Sequence, residues 1–135
     1  MPHRILLSGA RDQRDDTQLT RVLSRWRARC PDGVLVHSDC ATGIDRMGHA
    51  LWHERWGLPV EPHPANWSLG RKAGPRRNQH MVDLGADVAL IFPLPTSRGS
   101  IGCGRMAEAA GIPTWWFFPD RIIPARAGPQ RLRVS

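Results

Sequence analysis

The 135-residue sequence lacks tyrosine and contains only three cysteines. Cys30, Cys40 and Cys103 are odd in number and show no Cys-x-x-Cys spacing, so neither a disulfide framework nor a zinc knuckle is predicted. No apolar run approaches the roughly 18 to 20 residues of a membrane-spanning helix, and the first residues show no signal-peptide layout. These absences predict one cytoplasmic domain in a reducing compartment, with no membrane partner and no bound metal.

The charge is strongly unbalanced, with 19 Lys and Arg against 12 Asp and Glu, for a formal net charge of +7. A basic domain of this size favours nucleic acid or a small polyanion as partner. The arginines are scattered along the chain, and no basic cluster is interleaved with stacking aromatics. The composition therefore favours a small anion, with a nucleic-acid-binding accessory protein as the third hypothesis.

Short apolar runs alternate with helical periodicity along most of the chain. Strands are predicted at residues 4–8, 34–37, 58–62, 86–92 and 112–118, and helices at 17–30, 45–56, 76–84 and 102–110. Such alternation predicts an α/β domain over residues 1–119, with a mostly parallel sheet of about five strands and helices on both faces. Residues 120–135 read as a basic, flexible or loosely docked tail.

The carboxyl ends of parallel strands meet at one edge of the sheet, where ligands bind in folds of this type. Four polar loops are predicted there, at residues 8–11, 37–45, 63–78 and 96–100. The last of them joins a buried strand to a helix N-terminus, where amide groups and the helix dipole favour a phosphate. An ordinary strand-to-helix turn explains that stretch equally well.

The candidate ligand-binding residues all lie in these four loops. They are Ser8, Gly9, Arg11, His37, Asp39, Gly43, Asp45, Trp67, Arg77, Asn78, Arg98, Gly99 and Ser100. The arginines suit phosphate oxygens, the carboxylates suit ribose hydroxyls, and the tryptophan suits a flat base. Each residue also has a structural alternative. Asp45 suits a helix cap, Trp67 suits a loop anchor, and Arg11 and Arg77 suit a solvated surface.

The loop sequences together resemble a known family. They are Ser8-Gly9-Ala10-Arg11, the segment from His37 to Asp45, Pro64-Ala65-Asn66-Trp67, Ala73-Gly74-Pro75-Arg76-Arg77-Asn78 and Ser97-Arg98-Gly99-Ser100. Their order and spacing resemble the YspA-like (cpYpsA-related) branch of the SLOG superfamily from about residue 4 to residue 117. The resemblance implies a Rossmann-like three-layer sandwich that binds a nucleotide or nucleotide-derived ligand, in bacteria or phages, commonly as a homodimer or larger homo-oligomer.

The same superfamily includes the LOG phosphoribohydrolases, which split the N-glycosidic bond of nucleoside monophosphates. Their motif is Pro-Gly-Gly-x-Gly-Thr-x-x-Glu, with a catalytic Glu, and Cys103 stands at the Glu position here. The resemblance therefore favours ligand binding, by a protein that senses, carries or sequesters a nucleotide. A glycosidic hydrolase using Asp39 or Asp45 is the alternative.

Two further patterns carry weaker hypotheses. Cys103 is predicted near a helix N-terminus, where a lowered pKa and an approach of His37 would make it a nucleophile. His49 and His53, four residues apart, lie on one helix face in a spacing that suits zinc, but no third ligand is evident. A surface pair is the preferred interpretation of these two histidines.

Overall fold

A computed structural model describes residues 2–126 of the chain. Strands and α-helices alternate along this range, and a π-helical segment at Ala50–Arg55 and a 3-10 helix at Trp67–Lys72 extend two of the connections. The elements are β1 (Arg4–Gly9), α1 (Thr17–Arg29), β2 (Val34–His37), α2 (Gly43–His49), β3 (Val60–Pro62), α3 (Ala73–Asp83), β4 (Val88–Phe92), α4 (Arg98–Ala109), β5 (Thr114–Phe118) and β6 (Arg121–Ile123).

One sheet contains all six of these strands, in the order β3-β2-β1-β4-β5-β6. The first five are mutually parallel, and β6 pairs antiparallel with β5. The predicted Rossmann-like α/β fold with a mostly parallel sheet is confirmed. The chain order reverses between β1 and β4, and this reversal point is where open α/β sheets bind ligands.

Side chains alternate between the two faces of β1 and build a separate core on each. Ile5 and Leu7 pack in a cluster with residues of α1 and α2, whereas Leu6 packs in a second cluster with residues of α3 and α4. All three are fully buried, and each side chain of this size contributes about 1.5–3 kcal/mol through burial. The sheet is therefore covered on both faces, which fixes its carboxyl edge as the exposed rim.

Adjacent tryptophans on β5 enter opposite cores. Trp115 packs against the α1/α2 cluster, and Trp116 lies in the α3/α4 cluster. The indole N–H of Trp116 donates a 3.2 Å hydrogen bond to Glu108, and Gly104 leaves room for its ring. Both residues thus serve the fold of one chain, and they lend no support to the predicted homo-oligomer.

Several element boundaries differ from the sequence prediction. The helix α2 begins at Gly43 and continues as a π-helical segment, α3 begins at Ala73, and α4 begins at Arg98. The predicted irregular loop contains the 3-10 helix Trp67–Lys72. These ends shift by a few residues because tertiary contacts, rather than local propensity, decide where a helix stops.

The segment predicted as a tail begins with the strand β6. Its residues extend the sheet because the chain turns back after β5 and pairs Ile122 with Phe117. The sheet therefore has six strands where about five were expected. The tail arginines Arg131 and Arg133 lie outside the described residues, and the nucleic-acid hypothesis that depends on them stays a prediction.

Among the helices of residues 2–126, none combines the length and apolar character that crossing a membrane requires.

Candidate functional site

At the centre of the carboxyl edge of the sheet, the ends of β1 and β4 are joined by backbone hydrogen bonding. Gly9 and Phe92 are register partners at the ends of β1 and β4, and the Ala10 amide donates a 3.0 Å hydrogen bond to the Phe92 carbonyl. The chain then leaves β1 as an exposed loop that carries Arg11. The first of the predicted polar loops therefore lies at the reversal point of the sheet.

The loop after β2 docks directly on the loop after β1. Gly43 has a φ of +76°, and a Cβ atom there would lie 2.6 Å from the Cα of Arg11 and would also collide with the Ala10 carbonyl. The Ile44 amide donates to that carbonyl at 3.1 Å, and the Thr42 hydroxyl donates to the Arg11 carbonyl at 3.1 Å. Gly43 thus allows a backbone contact that joins two site loops into one unit.

Asp45 supports this unit from within. Its side chain is buried and accepts hydrogen bonds from the Gly9 amide at 3.2 Å, the Ser38 amide at 3.0 Å and the Ser38 hydroxyl at 2.5 Å. Burial raises the pKa of this carboxyl, while the hydrogen bonds from Ser38 and the charge of Arg77 act in the opposite direction.

The capping alternative for Asp45 is wrong. The residue at the N-cap of α2 is Thr42, and Asp45 lies in the first turn, where its carboxylate reaches back to the two neighbouring loops. Because both carboxylate oxygens accept hydrogen bonds from the protein, Asp45 is a bracing residue for the loops.

An open cleft of about 380 Å³ lies beside these loops. Its lining residues come from the connections after β1, β2 and β3 and from α3, and they are Arg11, Ser38, Asp39, Cys40, Ala41, Thr42, Pro64, Ala65, Trp67 and Arg77. The structure thus brings together four of the predicted residues, namely Arg11, Asp39, Trp67 and Arg77. Arg11 and Trp67 face each other, and the guanidinium carbon of Arg11 lies 5.4 Å from the centre of the Trp67 ring.

Arg77 forms the inner wall of the cleft and ties several segments together. Its guanidinium donates to the Ser38 carbonyl at 3.1 Å, to the His63 carbonyl at 3.4 Å and to the Asn78 side-chain oxygen at 2.7 Å. Burial lowers the pKa of Arg77 from its ordinary value, but a guanidinium remains charged in a protein. Arg77 therefore contributes a fixed positive charge to the wall of the cleft.

Asn78 separates the cleft from the start of α4. Its side chain is buried, accepts from Arg77 and donates a 3.3 Å hydrogen bond to the Gly99 carbonyl. Because the amide group is engaged between two protein segments, Asn78 braces the loops in this geometry.

The start of α4 is adjacent to the cleft but does not line it. Arg98 and Gly99 are exposed, whereas Ser100 is buried, with its hydroxyl 3.4 Å from the Ser97 carbonyl to which it donates. Ser8 is also buried and is hydrogen-bonded to Cys103. The hydroxyls of these two candidate serines thus make their hydrogen bonds within the protein.

The expectation of a reactive Cys103 is wrong. The helix α4 begins five residues earlier, at Arg98, so Cys103 lies in its second turn, fully buried, and burial raises its thiol pKa to about 11. His37 cannot serve as its base, because His37 contacts His49 of α2 while Cys103 belongs to the core on the α3/α4 face. A covalent Cys–His mechanism has no geometric basis here.

His37 and the two helix histidines form a different arrangement from those predicted. His37 is buried, and its Nε2 atom lies 3.0 Å from Nδ1 of His49. The Nδ1 atom of His53 lies 2.9 Å from the Leu58 carbonyl oxygen. Within residues 2–126, no three His, Cys, Asp or Glu side chains are grouped so as to hold a metal ion.

Sequence reasoning missed Ser38 and His49. Ser38 contributes its carbonyl to Arg77 and its hydroxyl to Asp45, and its position between two candidate residues was the only available signal. His49 was considered only as a partner of His53 on the same helix. Its contact with His37 depends on how α2 packs against β2, which spacing along the chain does not reveal.

These observations define a Rossmann-like domain with a basic cleft at the carboxyl edge of its sheet. The model of the YspA, cpYpsA-related SLOG family matches residues 3–70. The Gene 61 protein of Mycobacterium phage D29 is 39% identical over 115 residues, which cover 82% of this chain and 92% of that protein. The chain therefore belongs to the YspA, cpYpsA-related SLOG family. No solved structure matches it significantly.

Proposed function

We propose that the cleft binds a nucleotide or a nucleotide-derived anion. The carrying observation is the placement of Arg11, Trp67 and Arg77 around a single open cleft of about 380 Å³. The SLOG family is associated with nucleotide-related ligands, and this cleft offers both kinds of group that such a ligand requires. The protein would then sense, carry or sequester the nucleotide.

The two arginines would hold the phosphate. Arg77 is fixed by hydrogen bonds to the loops, so its charge is already in position, whereas Arg11 is exposed and free to adjust to the ligand. A guanidinium matches phosphate oxygens with two parallel N–H donors. A phosphate bound between Arg11 and Arg77 would also neutralise part of the net charge of +7.

Trp67 would provide the surface for a flat ring. Trp67 is 57% exposed, although tryptophans are highly buried on average, and its ring faces the guanidinium of Arg11. Stacking of a base on an aromatic side chain contributes about 1–3 kcal/mol. A base inserted between these two side chains would exchange a cation–π contact for a stacking contact.

The experiment is isothermal titration calorimetry with AMP, ADP, ATP and inorganic phosphate. Arg11→Ala is the informative variant because the arginine side chain contacts Trp67 and, within residues 2–126, its guanidinium makes no backbone hydrogen bond. We expect at least a tenfold loss of affinity for the tightest of these ligands. Arg25→Ala, which removes an exposed arginine from α1, is the matched control and should bind as the wild type does.

Equal affinity in Arg11→Ala and Arg25→Ala would overturn the proposal. So would the absence of binding of all four probes together with the absence of any nucleotide in the mass spectrum of the denatured, freshly purified protein.

A glycosidic hydrolase is supported by one observation. Asp39 is an exposed carboxylate among the residues lining the cleft, whereas Asp45 is buried and bonded on both oxygens. If the bound nucleoside monophosphate is cleaved, Asp39 is thus the acidic residue in position to act on it. Release of free base from AMP that is lost in Asp39→Asn would favour this function over binding alone.

The predicted homo-oligomer would use the outer strand of the sheet. β6 is an edge strand, and its Ile122 and Ile123 are about half exposed. Exposed apolar residues on an unpaired edge favour association of strands. Size-exclusion chromatography with light scattering checks this, and a dimer that Ile122→Lys converts to a monomer would place the contact on β6.

A further inference from the structure

The buried ring of His37 connects Asp39, in the cleft loop, to His49 on α2. Its side chain is 1% exposed. The Asp39 amide donates a 3.0 Å hydrogen bond to Nδ1 of His37, and Nε2 of His37 lies 3.0 Å from Nδ1 of His49. Asp39 lines the cleft and His49 lies on α2, so two hydrogen bonds span the distance between them.

These contacts fix where the protons are. A backbone amide can only donate, so Nδ1 of His37 must be the acceptor and its ring proton must be on Nε2. That proton is then donated to Nδ1 of His49, which must itself be unprotonated. The proton of His49 is therefore on Nε2, which faces the Glu54 carboxylate 3.9 Å away. Only the doubly neutral pair satisfies both hydrogen bonds.

One additional proton breaks this arrangement. A proton on Nδ1 of His49 would make two N–H groups face each other, with their nitrogen atoms 3.0 Å apart. The repulsion between them would end only if His37 released its Nε2 proton. If the proton moves to Nδ1 of His37, that atom faces the Asp39 amide as a second donor. Because His37 is buried, water does not replace the lost hydrogen bond between the Asp39 amide and Nδ1 of His37. The Asp39 loop is then no longer held against His37.

The Asp39 backbone is conformationally unusual at this point. Its φ is +59°, and no other non-glycine residue in the described range has a positive φ. Aspartate tolerates this region better than most L-residues do, but the conformation is still less favourable than an ordinary one, so contacts of the loop help to hold it. The bond from its amide to His37 is one such contact, and its loss would let the loop return to an ordinary conformation.

The charged surroundings of the pair are mixed. Around His37 they are the carboxylate of Asp39, which favours a proton, and the guanidinium of Arg46 and the neighbouring rings of His49 and His63, which oppose one. His49 additionally faces Glu54 and the ring of His53, whose centre is 5.4 Å away. Asp45 accepts hydrogen bonds from the amide and the hydroxyl of Ser38.

We propose that His37 and His49 form a proton-sensitive relay that holds the Asp39 loop in its ligand-binding conformation, so that mild acid releases the loop and weakens binding. The weakened binding rests on the proposed function of the cleft, whereas the release of the loop does not. His49 is thus a positioning residue that acts through His37.

Titration of the buried ring agrees with this geometry. Burial, followed by the electrostatic effect of the neighbouring His49 on a second positive charge, lowers the pKa of His37 from 6.5 to about 4. Because the folded protein binds this proton more weakly than the unfolded chain, the contribution of His37 to stability is complete above pH 6.5 and is lost as the pH falls towards 4. The relay therefore operates in the mildly acidic range.

The first test measures the loop without any ligand. Amide hydrogen exchange by NMR, corrected for the intrinsic rate at each pH, gives the protection factor of Asp39 in the full chain. We expect this factor to fall at least fivefold between pH 7.5 and pH 5 in the wild type. In His49→Gln the fall should be smaller than in the wild type, because the side-chain amide oxygen accepts the hydrogen bond from His37 and binds no proton, so only the buried His37 ring responds to acid. His53→Gln is the control and should behave as the wild type does.

A constant protection factor of Asp39 in the wild type would overturn the proposal, whether or not the variants fold. So would an equal fall in His49→Gln, shown by circular dichroism to be folded, because the fall would then come from another titrating group.

The second test measures AMP affinity by calorimetry at pH 7.5 and pH 5. The phosphate of AMP titrates near pH 6, but this effect is the same for every variant. We expect the wild type and His53→Gln to lose at least threefold more affinity than His49→Gln. An equal loss in all three would overturn the link to binding. If AMP binds none of them at pH 7.5, the proposed function fails with this ligand, while the exchange experiment still decides the relay.

Discussion

Two regions share the carboxyl edge of the sheet but treat their polar groups in opposite ways. The connections after β1, β2 and β3 leave Arg11 and Asp39 in solvent around the cleft. The segment after β4 leaves Arg98 exposed but buries Ser100 and Cys103 in the first turns of α4. Position at the ligand edge is therefore not sufficient for contact with a ligand, since the packing of each loop decides what remains accessible.

The buried cysteine explains part of this difference. The Cys103 side chain lies in the core with Leu6 and Ile91 and is hydrogen-bonded to Ser8. A carboxylate at this position would need a charged partner or several hydrogen bonds to be buried at such a site. A thiol packs there as a small apolar group, so α4 can close against the sheet. Cys103 is thus a core residue of this fold.

Thiol reactivity should separate the two regions most strongly. Cys40 lines the cleft, whereas Cys103 is fully buried with a pKa of about 11. At pH 7.5 that pKa reduces the thiolate fraction about a hundredfold relative to an ordinary thiol, and burial slows the reaction further. Iodoacetamide should therefore label Cys40 more than a hundred times faster than Cys103, as measured by peptide mass spectrometry.

Cys40→Ser provides the control for this experiment and should remove the fast phase of labelling. Labelling of Cys103 in the folded protein at a rate near that of Cys40 would show that α4 opens readily, and the comparison of the two regions would fail.

The close approach of the loop after β2 to the loop after β1 should not tolerate the added methyl group of an alanine at position 43. Gly43→Ala places a Cβ against the backbone of Ala10 and Arg11 at a positive φ, so we expect a loss of about 3 kcal/mol in the free energy of unfolding, measured in urea. Gly57→Ala isolates the backbone term, because Gly57 has a similar φ of +69° but open space around it. It should cost about 1 kcal/mol.

Equal losses in these two variants would mean that the loops are not held together by the close approach at Gly43. The cleft would then have to be described as two independent loops.

The smallest effect is expected on the α4 side. The Ser100 hydroxyl makes one long hydrogen bond, 3.4 Å to the Ser97 carbonyl, and does not line the cleft. Ser100→Ala should therefore change the free energy of unfolding by less than about 0.5 kcal/mol. By calorimetry, its AMP affinity should stay within twofold of the wild type.

A tenfold loss of AMP affinity in Ser100→Ala would instead bring the start of α4 into the site. The four loops would then act together, as the sequence predicts, and the separation by Asn78 would be functionally unimportant.

Local patterns in the sequence predicted the elements well where they had a clear period. The buried residues Leu19, Val22, Leu23 and Trp26 of α1 follow the predicted helical spacing, and the apolar runs became the parallel strands. Prediction was weaker for the π-helical segment at Ala50–Arg55, for β6 and for the start of α4, because contacts with distant residues decide these features.

The amino-acid sequence by itself determined the α/β order, the family and the edge of the sheet where polar residues gather. These follow from periodicity and motif spacing, which are properties of the chain alone. The tertiary structure decided that Asp45 braces two loops, that Cys103 is a core residue, and that His37 reaches His49. The reason is that exposure and hydrogen-bond partners depend on how whole elements pack, and residues of the same type at the same edge can then face either the cleft or the core.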